Sequence, residues 1–438
     1  MQVRMVTERR GGSGTGATPA RAAGRTNALD RAFALVPARG RAPMLVAHVL
    51  DFPAGSFTLG ELRARVAERA PGLAALGVVA VPGARSWTPA APLDVAAHVT
   101  GEEPGGGRQR PGGERQQPGG APLAEATDAV WARALPARPA PGWDLRVLTC
   151  RSEGVQRVCF RIDHAVVDGV GAAHLVAALL ADDPVVGPYP YRPPLAGRGS
   201  AAWLRASPLR RPPARETVPA GCEAAPSGRA ATAYEDVPDE RLRAVAARWG
   251  VGVNDLYLTA VSGAFAAFQR RRGGRAEDLR VVMPMSVRTR EARLAPGNAA
   301  LPAMLRLPCT AAGPGERLEA VAAQTLAHKA SGLREGGWAS LLSFPPRLLR
   351  RAVERADYRL AASHIHVNGA YRVLGAAPLA AGIFGLNSPG MLGYLSLTRT
   401  ETTARVLVVH DRAHAGLAGL PGLWVEALGE LDELAGRG

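Results

Sequence analysis

Residues 157–169 read Arg-Val-Cys-Phe-Arg-Ile-Asp-His-Ala-Val-Val-Asp-Gly. The apolar side chains at positions 158, 160 and 162 fall on one face of an extended chain, and this period of two is typical of a β-strand. His164 follows at the end of the predicted strand, and Asp168 and Gly169 come one short turn later. The stretch therefore predicts a strand that presents a histidine at its end.

Other elements surround this strand in the first half of the chain. Apolar residues at 175, 176, 179 and 180 have helical spacing and predict a helix directly after the turn. Upstream, residues 44–51 predict a strand. Thr58 and Glu61 have the spacing of a capping box, which predicts a helix that continues to about Ala70.

The second half repeats this mixture of strands and helices. Asp236 is a candidate N-cap for a helix that ends before Gly250, and Asn254 is a candidate cap for a longer helix over about 255–271. Residues 279–285 predict another strand. Alternating strands and helices with one long crossover predict an α/β fold made of two sandwich lobes.

Changes in composition mark the domain boundaries. Residues 1–28 are rich in Gly, Ser, Thr and Arg and predict a disordered basic tail. Residues 29–191 form a predicted N-terminal lobe, with a disordered insertion at 101–120. Residues 192–232 are rich in Pro and Arg and predict a crossover linker, after which 233–438 form a C-terminal lobe.

Length and composition limit the class of protein. A chain of 438 residues is long enough for two or three domains, and 47% hydrophobic with 21% charged residues is globular composition. Four scattered cysteines fit a reducing compartment and exclude a disulfide scaffold. The residues after Arg9 and Arg10 do not predict a signal, and Gly and Pro interrupt the uncharged run 373–398. We expect a cytoplasmic protein without a transmembrane segment, and peripheral contact with a membrane stays open as an alternative.

The positive charge narrows the possible partners. The formal net charge is 53 − 38 = +15, which favours nucleic acid, an anionic membrane, a CoA-type phosphate or an acidic carrier protein. Residues 1–28 and 192–232 hold nine of these charges, as five Arg with one Glu and seven Arg with two Glu. The lobes are therefore only mildly basic. Aromatic residues make up only 5%, and we expect no nucleic-acid partner.

The residues after the strand at 157–163 carry the most specific chemical signal. A neutral imidazole at a strand end can take a proton from an attacking hydroxyl or amine, which predicts His164 as a general base. Asp168 is placed to brace the loop through an arginine, and Gly169 permits tight backbone geometry. The alternative from the residues alone is a structural histidine on a loop.

The segment from His164 to Gly169 resembles the HHxxxDG motif of CoA-dependent acyltransferases and peptide-synthetase condensation domains. More closely, the chain resembles the wax ester synthase/diacylglycerol acyltransferase family, over about residues 29–438 outside the insertions. Supporting segments follow in family order: an early strand at Pro43-Met44, Pro141-Gly-Trp-Asp-Leu145 for "PLWxL", Asn254-Asp-Leu-Tyr-Leu-Thr-Ala260 for "NDvvLa", Met283-Pro-Met-Ser-Val-Arg288 for "vPvSvR", Gly297-Asn298 for "GN" and Glu316-Arg-Leu318 for "eRL".

The resemblance implies two chloramphenicol-acetyltransferase-like lobes with the active-site tunnel between them. It assigns His164 as the catalytic base and gives Asp168 a structural role. Asn254, Ser286 and Arg288 match motif positions that line or brace such a tunnel. Each has an alternative: Asn254 as a helix cap, and the other two as solvated residues at a strand end.

Two departures set this chain apart from the family pattern. Asp163 stands where the first motif histidine is usual, and strand alternation predicts that it faces away from the His164 ring. A strand out of register would instead bring this carboxylate to the ring and raise the pKa of His164. In the segment that matches "NVPGP", His366 replaces asparagine, as a second polar group in the tunnel or as a core or loop histidine. These changes suggest a divergent member acting on a specialised metabolite.

Several other classes of enzyme lack support. The chain has no glycine-rich dinucleotide or P-loop motif, no GxSxG elbow and no metal-ligand spacing, so we expect neither a cofactor nor a metal. The acyl thioester, carried by CoA or by an acyl-carrier protein, is the expected co-substrate, and an alcohol or amine is the acceptor. A freestanding condensation enzyme that forms an amide and a non-catalytic relative that binds a carrier protein remain as alternatives.

Overall fold

The computed structural model describes only part of the chain, namely residues 24–36, 44–104, 122–183, 218–330, 345, 347, 359–367, 371–385 and 391–436. Most of the predicted tail, of the insertion and of the crossover linker lies outside the described residues. The predicted boundaries also shift slightly. The first helix begins at Ala28, inside the predicted tail, and strands occupy Val99–Glu102 and Ala230–Pro238 at the edges of the insertion and the linker.

The described elements are thirteen strands and nine α-helices. The strands are β1 Leu45–Pro53, β2 Val78–Val79, β3 Thr88–Pro89, β4 Val99–Glu102, β5 Trp143–Cys150, β6 Val155–Asp163, β7 Ala230–Pro238, β8 Leu279–Ser286, β9 Ala300–Leu307, β10 Leu360–His366, β11 Ala380–Phe384, β12 Gly393–Arg399 and β13 Thr403–Asp411. The helices are α1 Ala28–Ala34, α2 Leu59–Arg69, α3 Val95–His98, α4 Pro122–Ala132, α5 Gly169–Leu180, α6 Asp239–Arg248, α7 Val253–Arg271, α8 Pro314–Ala330 and α9 Leu420–Gly436.

The N-terminal sheet has the strand order β11-β1-β6-β5-β4. β6 lies at its centre, antiparallel to both β1 and β5. The predicted alternation is confirmed, because Val158, Phe160 and Ile162 join one hydrophobic core with α1, α2 and α5. The opposite face of β6 is buried as well. Its Arg157 and Arg161 form ion pairs there rather than facing water.

The C-terminal sheet has the strand order β7-β13-β12-β10-β8-β9. β10 runs parallel to β8 and β12, while the other neighbouring pairs are antiparallel. Helices α6, α7, α8 and α9 contribute to a second core against this sheet. The molecule therefore has two α/β lobes, as the sequence predicts.

The lobes are less separate in sequence than the predicted division implies. β11 comes from the C-terminal half of the chain, yet it pairs with β1 at the edge of the N-terminal sheet. A buried ion-pair network also crosses the junction. Arg405 of β13 binds Asp51 of β1 at 2.7 Å and Asp236 of β7 at 2.7 Å, and Asp51 also pairs with Arg157 of β6 at 2.7 Å. Strand exchange and buried charges thus hold the two lobes together.

The helix starts show where local sequence patterns were informative. Thr58 and Glu61 form the predicted capping box at α2. The prediction that Asp236 caps a helix is wrong, because Asp236 lies in β7 and pairs with Arg405. Asn254 is also not a cap, since Gly252 holds that position and α7 begins one residue before Asn254.

Across the described helices, none is by itself long and apolar enough to span a membrane. Helices α6 and α7 meet the length and composition criteria only as a pair, and the chain bends by 96° between them.

Candidate active site

His164 follows β6 in a turn that several backbone contacts fix. The His164 N–H donates to the Met44 carbonyl at 2.8 Å, and the Val166 N–H donates to the Asp163 carbonyl at 2.9 Å. The Val166 carbonyl in turn accepts the Gly297 N–H at 2.7 Å. The turn is therefore held between the start of β1 and the segment 287–299, which connects β8 to β9 in the C-terminal lobe. His164 lies where the two lobes meet.

The His164 ring is bound on its Nδ1 side by Asn298. The distance from Nδ1 to the Asn298 Oδ1 is 2.9 Å. The Asn298 Nδ2 donates to the His164 carbonyl at 2.8 Å and to the Asp30 Oδ1 at 2.9 Å. On the other side of the ring, Nε2 has no hydrogen-bond partner among the residues that the structure describes. Within the described part of the chain, the imidazole is thus anchored through Nδ1 alone.

The start of α1 packs against the same ring. Asp30 lies in the first turn of α1 and is 1% exposed. Its Oδ1 also accepts the Asn298 backbone N–H at 2.7 Å. One helical turn later, the Phe33 ring lies against the His164 ring, with 4.7 Å between centroids and 57° between planes. The segment before β1 therefore forms one wall of the site.

Asp168 is the structural centre of the loop. Its Oδ2 receives the Arg288 Nη2 at 2.7 Å and the Ala299 N–H at 2.7 Å, while its Oδ1 caps α5 through the Gly171 N–H at 2.8 Å. Arg288 also donates to the carbonyls of Ala292 and Ala295. The predicted brace through an arginine is present, and it joins the His164 turn to the segment 287–299.

The glycine that the local packing requires is Gly171 rather than the predicted Gly169. A Cβ on Gly171 would lie 2.4 Å from the Val167 Cγ2 and 2.7 Å from the Arg288 Nη2. A Cβ on Gly169 would meet only the Ile365 Cδ1 at 3.6 Å, an ordinary contact. Gly169 instead offers its carbonyl to the buried His48 Nε2 at 3.2 Å.

Burial and hydrogen bonding set the protonation of these groups. Burial lowers the pKa of His164 below its usual range, which favours the neutral ring at pH 7. Burial raises the pKa of Asp30 to about 6 and that of Asp163 to about 6. Burial also opposes ionisation of Asp168, but Arg288 and two backbone N–H groups outweigh it and hold the pKa of that carboxyl below its usual range.

Three other residues predicted for the site, Asp163, Ser286 and Asn254, each make a contact of their own. Asp163 ends β6, and its Oδ1 accepts the Ala165 N–H at 2.9 Å, which is a contact with the backbone. Ser286 ends β8, and its hydroxyl accepts the Arg288 N–H at 3.3 Å. Asn254 lies in the first turn of α7 and donates to the Met283 Sδ at 3.7 Å.

His366 ends β10 on the face opposite to Ile365, whose side chain approaches Gly169. Burial, together with the nearby charge of Arg399, lowers the pKa of His366. Arg288 thus binds Asp168 in the loop after His164 and Ser286 binds Arg288, whereas Asn254 binds Met283 of β8.

Sequence reasoning did not assign Asn298 and Asp30 to the site. Gly297-Asn298 matched a family motif but carried no role, and Asp30 was given no role at all. Asp30 and Asn298 are 268 positions apart in the chain. The available signal was the capping-box pattern of Asn27 and Asp30, which places that carboxylate at a helix start but names no distant partner.

Comparisons with known proteins extend the description of the fold. No family model and no curated protein matches the sequence. Solved structures do match, among them the wax ester synthase/diacylglycerol acyltransferase from Marinobacter aquaeolei VT8, with a TM-score of 0.60 and 17% identity over 94% of this chain and 100% of that one.

Two peptide-synthetase domains are similar to the same degree. The first condensation domain of the calcium-dependent antibiotic synthetase, in complex with substrate analogue 3a, has a TM-score of 0.59 and 20% identity over 95% of this chain and 97% of that one. A mutant starter condensation domain of rhizomide synthetase RzmA, in complex with C8-CoA, has a TM-score of 0.60 and 14% identity over 93% and 94%. The resemblance that the motifs indicated is confirmed as a likeness of fold.

Proposed function

We propose that this protein is an acyltransferase that moves an acyl group from a thioester to a hydroxyl or amine, with His164 as general base. The observation that carries the proposal is the hydrogen bond from His164 Nδ1 to the Asn298 Oδ1, at 2.9 Å, beside an Nε2 that has no hydrogen-bond partner among the described residues. The fold shared with acyl-transferring enzymes supports the same reaction class.

The chemical step uses the open nitrogen twice. The His164 Nε2 takes the proton from the acceptor O–H or N–H as the oxygen or nitrogen attacks the thioester carbonyl carbon. The tetrahedral intermediate then collapses, the C–S bond breaks, and the departing thiolate takes the proton back from Nε2. General-base catalysis of this kind contributes about 10²- to 10⁴-fold to the rate.

The neutral ring is prepared for this role by its surroundings. A base must be unprotonated before the reaction, and burial lowers the pKa of His164 in the required direction. Asp168 has no hydrogen bond to the ring among the described residues. It is fully engaged by Arg288, the Ala299 N–H and the Gly171 N–H, and we assign it a structural role.

The donor class follows from charge and from the relatives. A net charge of +15 favours a donor that carries phosphate or an acidic carrier protein. One structural relative was solved in complex with C8-CoA, a thioester-forming carrier with phosphates. We therefore propose acyl-CoA or an acyl-carrier protein as the donor, and a small-molecule alcohol or amine as the acceptor.

A panel of donors and acceptors tests the proposal. The full chain is incubated with acyl-CoA and acyl-carrier donors of several chain lengths and with candidate alcohols and amines. Free thiol and product mass are then measured. We expect acceptor-dependent thiol release that His164→Ala reduces at least about 10²-fold. Saturable carrier binding without thiol release from any donor would contradict the proposal and favour a non-catalytic binding role.

A further inference from the structure

We propose that Asp30 is a positioning residue for His164: acting through Asn298, it holds the imidazole in the tautomer with the proton on Nδ1 and the free lone pair on Nε2. The inference rests on the proposed function for its consequence in catalysis. The tautomer itself can be observed without any reaction.

The contacts of Asn298 determine which way its amide points. Its Nδ2 lies 2.8 Å from the His164 carbonyl, 2.9 Å from the Asp30 Oδ1 and 3.5 Å from the Ala165 carbonyl. Carbonyls and carboxylates accept hydrogen bonds, so the group among them must be the NH₂. A flipped amide would place its oxygen against three acceptors. The Asn298 Oδ1 therefore faces His164.

This orientation fixes the proton on the ring. The Asn298 Oδ1 is only an acceptor, so the His164 Nδ1 at 2.9 Å must be the donor. A neutral imidazole carries one N–H, and Nε2 is then the unprotonated nitrogen.

Asp30 positions Asn298 by two contacts from one oxygen. Its Oδ1 accepts both the side-chain Nδ2 at 2.9 Å and the backbone N–H at 2.7 Å of Asn298, while its Oδ2 accepts the Asn27 N–H at 2.8 Å. Three donors converge on this carboxylate, an arrangement that suits the ionised form.

Helix capping alone does not account for this carboxylate. Asn27 already caps α1 through its own side chain, which accepts the N–H groups of Leu29 and Asp30. Asp30 is 1% exposed, and among the described residues it has no ion-pair partner. Burial raises its pKa to about 6, so the charge is held at a cost. The contacts with Asn298 are what the carboxylate provides beyond a cap.

The same segment restrains the ring from its face. The Asn27 Nδ2 donates to the Asn298 carbonyl at 2.8 Å, and Phe33 packs on the His164 ring. The helix start, the amide and the ring therefore form one unit. A displaced reacting group can cost about 10²-fold in rate even when the change is remote from the chemistry.

Nitrogen NMR of the histidine rings tests the tautomer directly. The chain has nine histidines, and the His164 signals are identified in ¹⁵N-histidine-labelled protein by their loss in His164→Gln. At pH 7.5 we expect a protonated Nδ1 and an unprotonated Nε2 in the wild-type protein. Asn298→Leu and Asp30→Asn should each produce a measurable population of the opposite tautomer, and the effect should be larger for Asn298→Leu.

Steady-state thiol release supplies the second measurement. We expect kcat to fall about tenfold or more in Asn298→Leu, and less in Asp30→Asn, with KM within about threefold of wild type. Thr58→Ala removes a comparable cap at α2, away from His164, and should leave both kcat and the tautomer unchanged.

The outcomes separate the two proposals. An unchanged tautomer in both folded variants, together with unchanged kcat, would overturn the role of Asp30 while leaving His164 as the base. A shifted tautomer in a protein that releases no thiol from any donor would support the positioning role and contradict the proposed function.

Discussion

Replacement of Asp168 by asparagine should destabilise the fold strongly, although the two side chains have almost the same shape. The carboxylate accepts three hydrogen bonds, from Arg288, Ala299 and Gly171, each between 2.7 and 2.8 Å. An asparagine at this position would retain one acceptor oxygen and turn an NH₂ group toward a donor. The substitution Asp168→Asn therefore removes the buried counter-ion of Arg288 and weakens the cap of α5 or the contact with Ala299.

The magnitude follows from the burial of the pair. The side chains of Arg288 and Asp168 are only 2% and 4% exposed. Breaking a buried pair of this kind costs about 3–5 kcal/mol, because one charge stays buried without its partner. At about 2–4 °C per kcal/mol for a lobe of this size, Tm should fall by roughly 6–20 °C.

Thermal unfolding, followed by intrinsic fluorescence at pH 7, measures the effect. Glu426→Gln is the matched control, since Glu426 pairs with Arg271 at the surface with both side chains more than half exposed. That substitution should cost less than about 1 kcal/mol. A Tm loss for Asp168→Asn no larger than that of the control would refute the structural role. An unchanged Tm with abolished transfer would place Asp168 in the chemistry instead.

The difference in stability between wild type and Asp168→Asn should also depend on pH. Arg288 and the backbone donors hold the pKa of folded Asp168 below the unfolded value of about 3.9. Its contribution to stability is therefore complete above that value and is lost as pH falls through the folded pKa. The stability gap between wild type and Asp168→Asn should be constant from pH 6 to 8 and should narrow below about pH 4.

Three further predictions concern the same loop. Gly171→Ala should lower the free energy of unfolding by at least about 1–3 kcal/mol in urea titrations, because its Cβ would overlap Val167. The control Gly60→Ala, on the exposed face of α2, should raise the free energy of unfolding by up to about 1 kcal/mol. Equal effects of the two substitutions would contradict the packing argument. Asp163→Asn should keep kcat/KM within about threefold of wild type, since an amide oxygen can still accept the Ala165 N–H. The stability of this variant relative to wild type should rise between about pH 4 and pH 6, because burial raises the pKa of Asp163 in the folded protein to about 6 and ionisation then destabilises the wild type. The acid limb of the kcat/KM profile should have its midpoint below 6.5, because burial lowers the pKa of His164, and a midpoint above 7 would show that another group is titrating.

Local sequence patterns were sufficient to predict the strand that ends at Asp163, the position of His164 and the ion pair of Asp168. Alternation placed Val158, Phe160 and Ile162 in one core and put His164 at the end of the strand, and both are seen in β6. The aspartate that follows was expected to bind an arginine, and it binds Arg288. These features follow from periodicity of two and from the need to neutralise a buried carboxylate, which are properties of a short segment.

The contacts between distant segments could not be predicted in the same way. Asp30 and Asn298 meet only because the segment 287–299 docks on the His164 turn and α1 closes over both. Aspartate is a common N-cap residue, which led to the prediction for Asp236. In the structure, pairing with β13 extends β7 through Asp236, and its carboxylate binds Arg405 instead. Tertiary pairing overrides local propensity in these places.

The most direct test of the account is the rate of thiol release by His164→Ala compared with Asp163→Asn, measured with the best donor and acceptor pair. The two residues are adjacent, but Asn298 binds the His164 ring, whereas the Asp163 carboxylate binds the Ala165 N–H. We expect kcat/KM to fall at least about 10²-fold in His164→Ala, with the fold intact, and to stay within about threefold in Asp163→Asn. Equal rates in wild type and His164→Ala would contradict the assignment of the base.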